Sequence, residues 1–221
     1  EKAHKVQEKP TAPEGKDISL SDFFHKYSSP FADAYNRSKA LKPGERGKSP
    51  TLEAIVDRMM SVPWANQLKV RIDNHATNSV YRDSENALVI SPNSDPTKYL
   101  QNAGHEAYHA SHQYLSKLYG EKMPTKEQFV EVKVNSEVDA FISEMAIRHE
   151  LGAKESEPVN FTEDKWPLVD TVVNLEEMYK RRGREALFDY LKDAKPGFFK
   201  PSYGEHFANS YEQYSKAFEA D

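Results

Sequence analysis

The 221-residue chain reads as an α+β protein, mainly helical, with a small and mostly antiparallel sheet packed on one long helix. Three observations carry that reading. Apolar residues recur at helical spacing over most of the length. Three short runs between Lys69 and Ser91 have the alternation and turn signals of strands. The last of them leads through a cluster of turn formers straight into a helical pattern.

The elements follow in order. Residues Glu1 to Lys16 are polar, charged and Pro-bearing, and read as a flexible lead-in to a single domain over residues 17–221. Asp22 to Leu41 carries Phe23, Phe24, Tyr27, Phe31, Ala34 and Tyr35 on a helical stripe, interrupted at Ser28-Ser29-Pro30. Lys42 to Lys48 is a Pro/Gly loop. Ser49-Pro50, a capping residue followed by proline, opens a helix through Met60. Lys69 to Asp73 and Ser79 to Arg82 alternate like half-buried strands, and the second pairs with Ala87 to Ser91 across the turn at Asp83 to Asn86.

Pro92 to Pro96 is a loop, and a helix opens near Asp95 to Thr97 with Pro96 in its first turn. Leu100, Ala103, Ala107, Tyr108, Ala110, Ser111, Tyr114 and Leu115 continue it at helical spacing, and Tyr119-Gly120 ends it. Thr125 to Leu151 has a broad apolar stripe that includes Phe129, Val134, Val138, Phe141 and Met145. Glu163 to Lys180 and Arg184 to Lys192 read as helices broken at Gly183, and Ser202 to Ala220 as a last, aromatic-rich one. No internal repeat is present.

Composition removes several classes of function. A formal charge of −5 gives no basic footprint for nucleic acid. No apolar run approaches the ~20 residues that a membrane helix needs. Without cysteine there are no disulfides and no thiolate metal sites, so any metal must be held by imidazole and carboxylate. The chain opens on Glu1 without a methionine, which suggests a segment upstream; cysteine usage is compatible with export and with the cytoplasm alike.

The chemistry concentrates in His105-Glu106-Ala107-Tyr108-His109. Residues four apart on a helix share a face, so His105 and His109 can hold one metal ion. Glu106, one residue past the first imidazole, is placed to act as a general base on an attacking water. Gly104 and Ala107 leave space for close packing beside the pair. His112 lies near the same face but about 10 Å further along the axis, too far to share the ion. His4, His25, His75 and His149 carry no such pattern.

Two histidines leave a metal under-ligated. The helix over 125–151 offers Glu137, flanked by Val134, Val138 and Phe141 and so expected to face inward. A lone carboxylate there is costly unless a cation compensates it. Asp139 is the alternative, as ligand or as a group that orients one.

His105, Glu106 and His109 on a helix after a strand resemble the core of the zincin metallopeptidases, over about Lys69 to Gly152. A Glu followed three residues later by a small residue, as in Glu137 with Ala140, resembles the third ligand of the gluzincin branch; Phe141 stands where many gluzincins carry an acid. The metzincin extension is missing. Small bacterial proteins with the same motif, some of them delivered effectors or toxins, are similar over these positions.

The resemblance implies a Zn2+ cofactor and hydrolysis of a peptide bond in a protein or peptide substrate, with Glu106 as base. It implies a secreted or host-delivered protein, with a cytoplasmic one still open. It also implies that the strand Leu88 to Ser91 pairs with extended substrate, and that a Tyr or His supports the oxyanion. Tyr203 and His206 are the choices for that role, because Pro201 and Gly204 suggest irregular backbone; the plainer alternative is that they are core aromatics of a terminal helix. A non-enzymatic binding domain with a structural or relic zinc site is the competing reading, and it would show four protein ligands.

Overall fold

The computed structural model describes residues 8–92, 96–112, 123–152, 172–193 and 202–220, and the chain divides into two compact units. The first unit takes Glu1–Ser111 with Ala146–Ala153, the second His112–Met145 with Lys154–Asp221.

The first unit is α+β. Its elements are β1 (Ile18–Ser19), α1 (Leu20–Lys26), α2 (Pro30–Ala40), α3 (Pro50–Ser61), β2 (Lys69–Ile72), β3 (Val80–Arg82), β4 (Ala87–Ile90) and α4 (Pro96–Ser111). Each of the first three helices opens on a serine cap. The hydroxyls of Ser19, Ser29 and Ser49 accept the backbone N–H of Asp22, Ala32 and Leu52, and Pro30 and Pro50 follow two of them. A cap of this kind stabilises a helix by about 1 kcal/mol. The core beneath is aromatic, with Phe23, Phe24 and Phe31 fully buried.

Part of the lead-in is fastened to this unit. Ala12 N–H donates to Ser28 O, Ser28 N–H to Pro10 O, and Gly15 N–H to Ile72 O, so the backbone from Pro10 to Gly15 lies along α1 and β2.

The sheet runs β1-β2-β4-β3. Its outer pairings are antiparallel, that of β3 with β4 as the sequence suggests, but the central pairing of β2 with β4 is parallel, so the sheet is mixed. That pairing explains β4. All four of its residues are buried, as expected of a strand covered on both faces and bonded on both edges. The β3–β4 connection is a 3-10 turn over Asp83–Glu85, closed by Asn86 at φ 47°, a left-handed conformation that asparagine tolerates. Two-residue β1 is too short to announce itself in sequence.

Helix α4 turns a face of small residues to the rest of this unit. Ala103, Ala107 and Ala110 are fully buried. At Gly104 the approach is closer still, because a Cβ there would come within 2.4 Å of Ile147 Cδ1. The helix stops at Ser111, earlier than its spacing predicts. Its last carbonyls are taken from outside: Trp64 Nε1–H donates to Ala110 O at 3.2 Å, and Arg58 Nε–H to Ser111 O at 3.3 Å. His112 is non-helical, and Tyr114, Leu115 and Tyr119-Gly120 lie outside the described residues.

Helix α5 (Lys126–Glu150) opens on a reciprocal cap. Thr125 N–H donates to Gln128 Oε1 at 2.9 Å, and Gln128 N–H to Thr125 Oγ1 at 3.2 Å. Its final turns belong to the first unit. There the Glu150 carboxylate accepts from Ser49 Oγ (2.6 Å), Thr51 Oγ1 (2.8 Å) and Thr51 N–H (3.1 Å), anchoring the start of α3.

The second unit is helical among the described residues. It joins the bulk of α5 to α6 (Val172–Asp193) and α7 (Tyr203–Ala220). Val134, Val138, Leu175, Leu187 and Phe207 belong to its core. Gly183, at φ 80° and ψ −175°, breaks α6 where the sequence places the break. The stretch before Val172 lies outside the described residues.

Helix α7 corrects one expectation. The backbone at 202–206 is the regular start of a helix, held by a second reciprocal cap. Glu205 N–H donates to Ser202 Oγ at 3.1 Å, and Ser202 N–H to Glu205 Oε2 at 3.3 Å. Gly204 is there for contact and not for irregularity, since a Cβ would meet Lys192 O at 2.5 Å. Pro201 lies outside the described residues.

Candidate metal centre

Helix α4 puts His105 and His109 one turn apart on the same side. Their Nε2 atoms are 3.2 Å apart, with ring centroids at 5.0 Å and the planes inclined at 69°. His105 is buried at 6% exposure and His109 is half-buried. Two nitrogens bound to one zinc at about 2.0–2.1 Å with tetrahedral angles stand roughly 3.3 Å apart. The pair therefore fits a shared ion without rearrangement.

Glu106 points elsewhere. Its Oε2 accepts the backbone N–H of Tyr81 in β3 at 2.8 Å, which fixes one oxygen of the carboxylate on that strand.

Glu137 is half-buried on α5 between the core residues Val134 and Val138. Among the described residues, His105, His109 and Glu137 form the group able to hold a metal ion, with one ligand atom from each lying within 4.8 Å of the others. An imidazole–imidazole–carboxylate set suits zinc and leaves room for a water or substrate oxygen. His112 stands outside the helix and outside this group.

Asp139, the alternative third ligand, is engaged otherwise. Arg184 donates to its Oδ1 through Nε (3.0 Å) and contacts it through Nη2 (2.9 Å), while Arg184 Nη1 donates to Asn135 Oδ1 at 2.9 Å. A carboxylate already neutralised on the helix surface is a poor third ligand. Glu137→Ala is thus expected to weaken zinc binding by 100-fold or more, and Asp139→Ala by about tenfold at most. Competition with a chromogenic chelator measures both. Loss of zinc from Asp139→Ala alone would move the site.

Tyr203 and His206 both lie in the first turn of α7. The Tyr203 ring meets Phe141 edge-on at 6.4 Å and Phe207 at 6.0 Å, as a core aromatic of the second unit does. His206 is exposed, its ring 5.2 Å from that of Phe207.

One sequence expectation fails. Leu88 to Ser91 was expected to pair with substrate, but β4 is bonded to β2 on one edge and to β3 on the other, so it has no edge to offer. The outer strand on this side is β3. Sequence reading also missed Tyr81, whose contribution is a backbone N–H and leaves no trace in residue type. Comparison of the chain with family models, curated proteins and solved structures returns no match.

Proposed function

We propose that this protein is a zinc-dependent peptidase that hydrolyses peptide bonds in a protein or peptide substrate. His105, His109 and Glu137 hold the metal, and Glu106 is the general base. The observation that carries the reading is the His105–His109 pair at 3.2 Å, with a carboxylate one residue along whose Oε2 accepts a backbone N–H of β3. When bound, zinc supplies polarisation of a peptide carbonyl and acidification of water.

The rest of the chemistry belongs to the chain. Glu106 takes a proton from the attacking water and returns it to the leaving amine nitrogen. Tyr81 N–H occupies one carboxylate oxygen and so limits the directions from which a water can be met. Burial of His105 restricts its ring and reduces its access to bulk water.

The test begins with metal-free full-length chain. Titration should give one zinc per chain, and incubation with a complex proteome should yield labelled new N-termini that vanish with chelator and return with zinc. A chain that takes up no zinc overturns the proposal. Zinc uptake with a gain in melting temperature but no new termini supports the competing reading, a structural site in a binding domain.

A further inference from the structure

We infer that Asn102 is a positioning residue for Glu106, acting through the outer edge of β3; this rests on Glu106 being the base. Asn102 and Glu106 are four residues apart on α4, hence on one face. Each accepts a backbone N–H from the same short stretch of chain. Ser79 N–H donates to Asn102 Oδ1 at 2.6 Å, and Tyr81 N–H to Glu106 Oε2 at 2.8 Å.

Sheet register says which N–H groups these are. β3 pairs with β4 at Val80↔Val89, Tyr81↔Leu88 and Arg82↔Ala87. Successive residues of a strand point their N–H groups to opposite edges. Tyr81 N–H goes to α4 and therefore away from β4, and Ser79, two residues earlier, points the same way. β3 ends the sheet, so both would otherwise be unpaired edge donors.

The two repeats match. Two residues of strand advance about 6.6–6.8 Å, and four residues of helix about 6 Å. One contact therefore brings the other into range, and losing one loosens the other. Of the two donors Ser79 is the better fixed: it is 4% exposed, and its Oγ accepts Ser91 N–H at 3.1 Å at the end of β4. Asn102 clamps that fixed point to α4, and Tyr81 N–H then falls on the Glu106 carboxylate. A neutral amide serves this purpose without placing a second negative charge one turn from the base.

The experiment uses full-length, metal-free chain and reads amide hydrogen exchange at Ser79 and Tyr81 by NMR. In Asn102→Leu both amides should exchange about tenfold faster or more, although Glu106 is untouched. Asn102→Asp keeps an acceptor and should restore protection at both. If Tyr81 stays protected while Ser79 is lost, the inference is overturned. Should Asn102→Leu fold poorly, Asn102→Ala removes the same acceptor with less bulk.

The zinc-loaded chain supplies the second readout. In Asn102→Leu or Asn102→Ala, kcat should fall by about 10- to 100-fold with KM little changed, and Asn102→Asp should recover part of it. Loss of melting temperature with kcat intact would mean a structural role only and would also overturn the inference. A wild type that hydrolyses nothing instead fails the peptidase reading, and the exchange measurement still decides the coupling.

Discussion

In Glu106→Gln, hydrolysis is expected to fall by several orders of magnitude while zinc content and melting temperature hold. The substitution keeps the length of the side chain and an amide oxygen that can still accept the Tyr81 N–H. What it removes is the ability to take a proton. A positioned general base contributes about 10²–10⁴-fold by itself, and loss of water activation adds to that. Because Gln can keep the hydrogen bond with Tyr81 N–H and Glu106 is not among the three proposed ligands, metal affinity is expected to hold. The assay compares new protein N-termini produced by wild type and by the variant in the same proteome. Equal cleavage by both would assign the activity to a contaminant.

His105→Ala and His109→Ala are expected to strip the metal outright, and His112→Ala to leave it. Removing one of two nitrogens 3.2 Å apart leaves a site with too few ligands to compete with a mild chelator. His105→Ala should also lower the melting temperature of the metal-free chain more than His109→Ala, because His105 is the more buried of the two and its loss leaves a buried cavity. Zinc per chain by elemental analysis, together with thermal unfolding, separates the two effects. Equal metal loss in all three variants would mean that the ligand face of α4 is drawn wrongly.

What the sequence made legible was local. The Ser49 cap, Gly183 and the β3–β4 turn depend on residues within a few positions of one another, and each is found where its pattern places it. The parallel partner of β4 is some eighteen residues away in sequence, and nothing in Leu88-Val89-Ile90 says that β2 will lie beside it. The end of α4 is hidden for a similar reason. Its spacing runs on past Ser111, and the donors that meet its last carbonyls, Trp64 and Arg58, come from an earlier segment. The last helix opens on Ser202, where the sequence places it, but the irregular backbone that Gly204 suggested is absent, because Ser202 and Glu205 cap a regular first turn. At the site, the histidine spacing fixed which side chains meet, while Asp139 could be set aside only once Arg184, 45 residues on, was seen beside it.

The first unit is interrupted in sequence. Ser49 receives its carboxylate partner 101 residues later, and Gly104 meets Ile147 only after the chain has run through Met145. During synthesis, α3 and α4 leave the ribosome well before the turns of α5 that complete them. Closing a loop of that length is not itself prohibitive, since each doubling costs only about 0.6 kcal/mol. It does impose an order of events. A nascent chain halted near residue 112 lacks Ile147 beside Gly104 and Glu150 at the start of α3, so these two contacts of the first unit form only after residues 112–145 have been made.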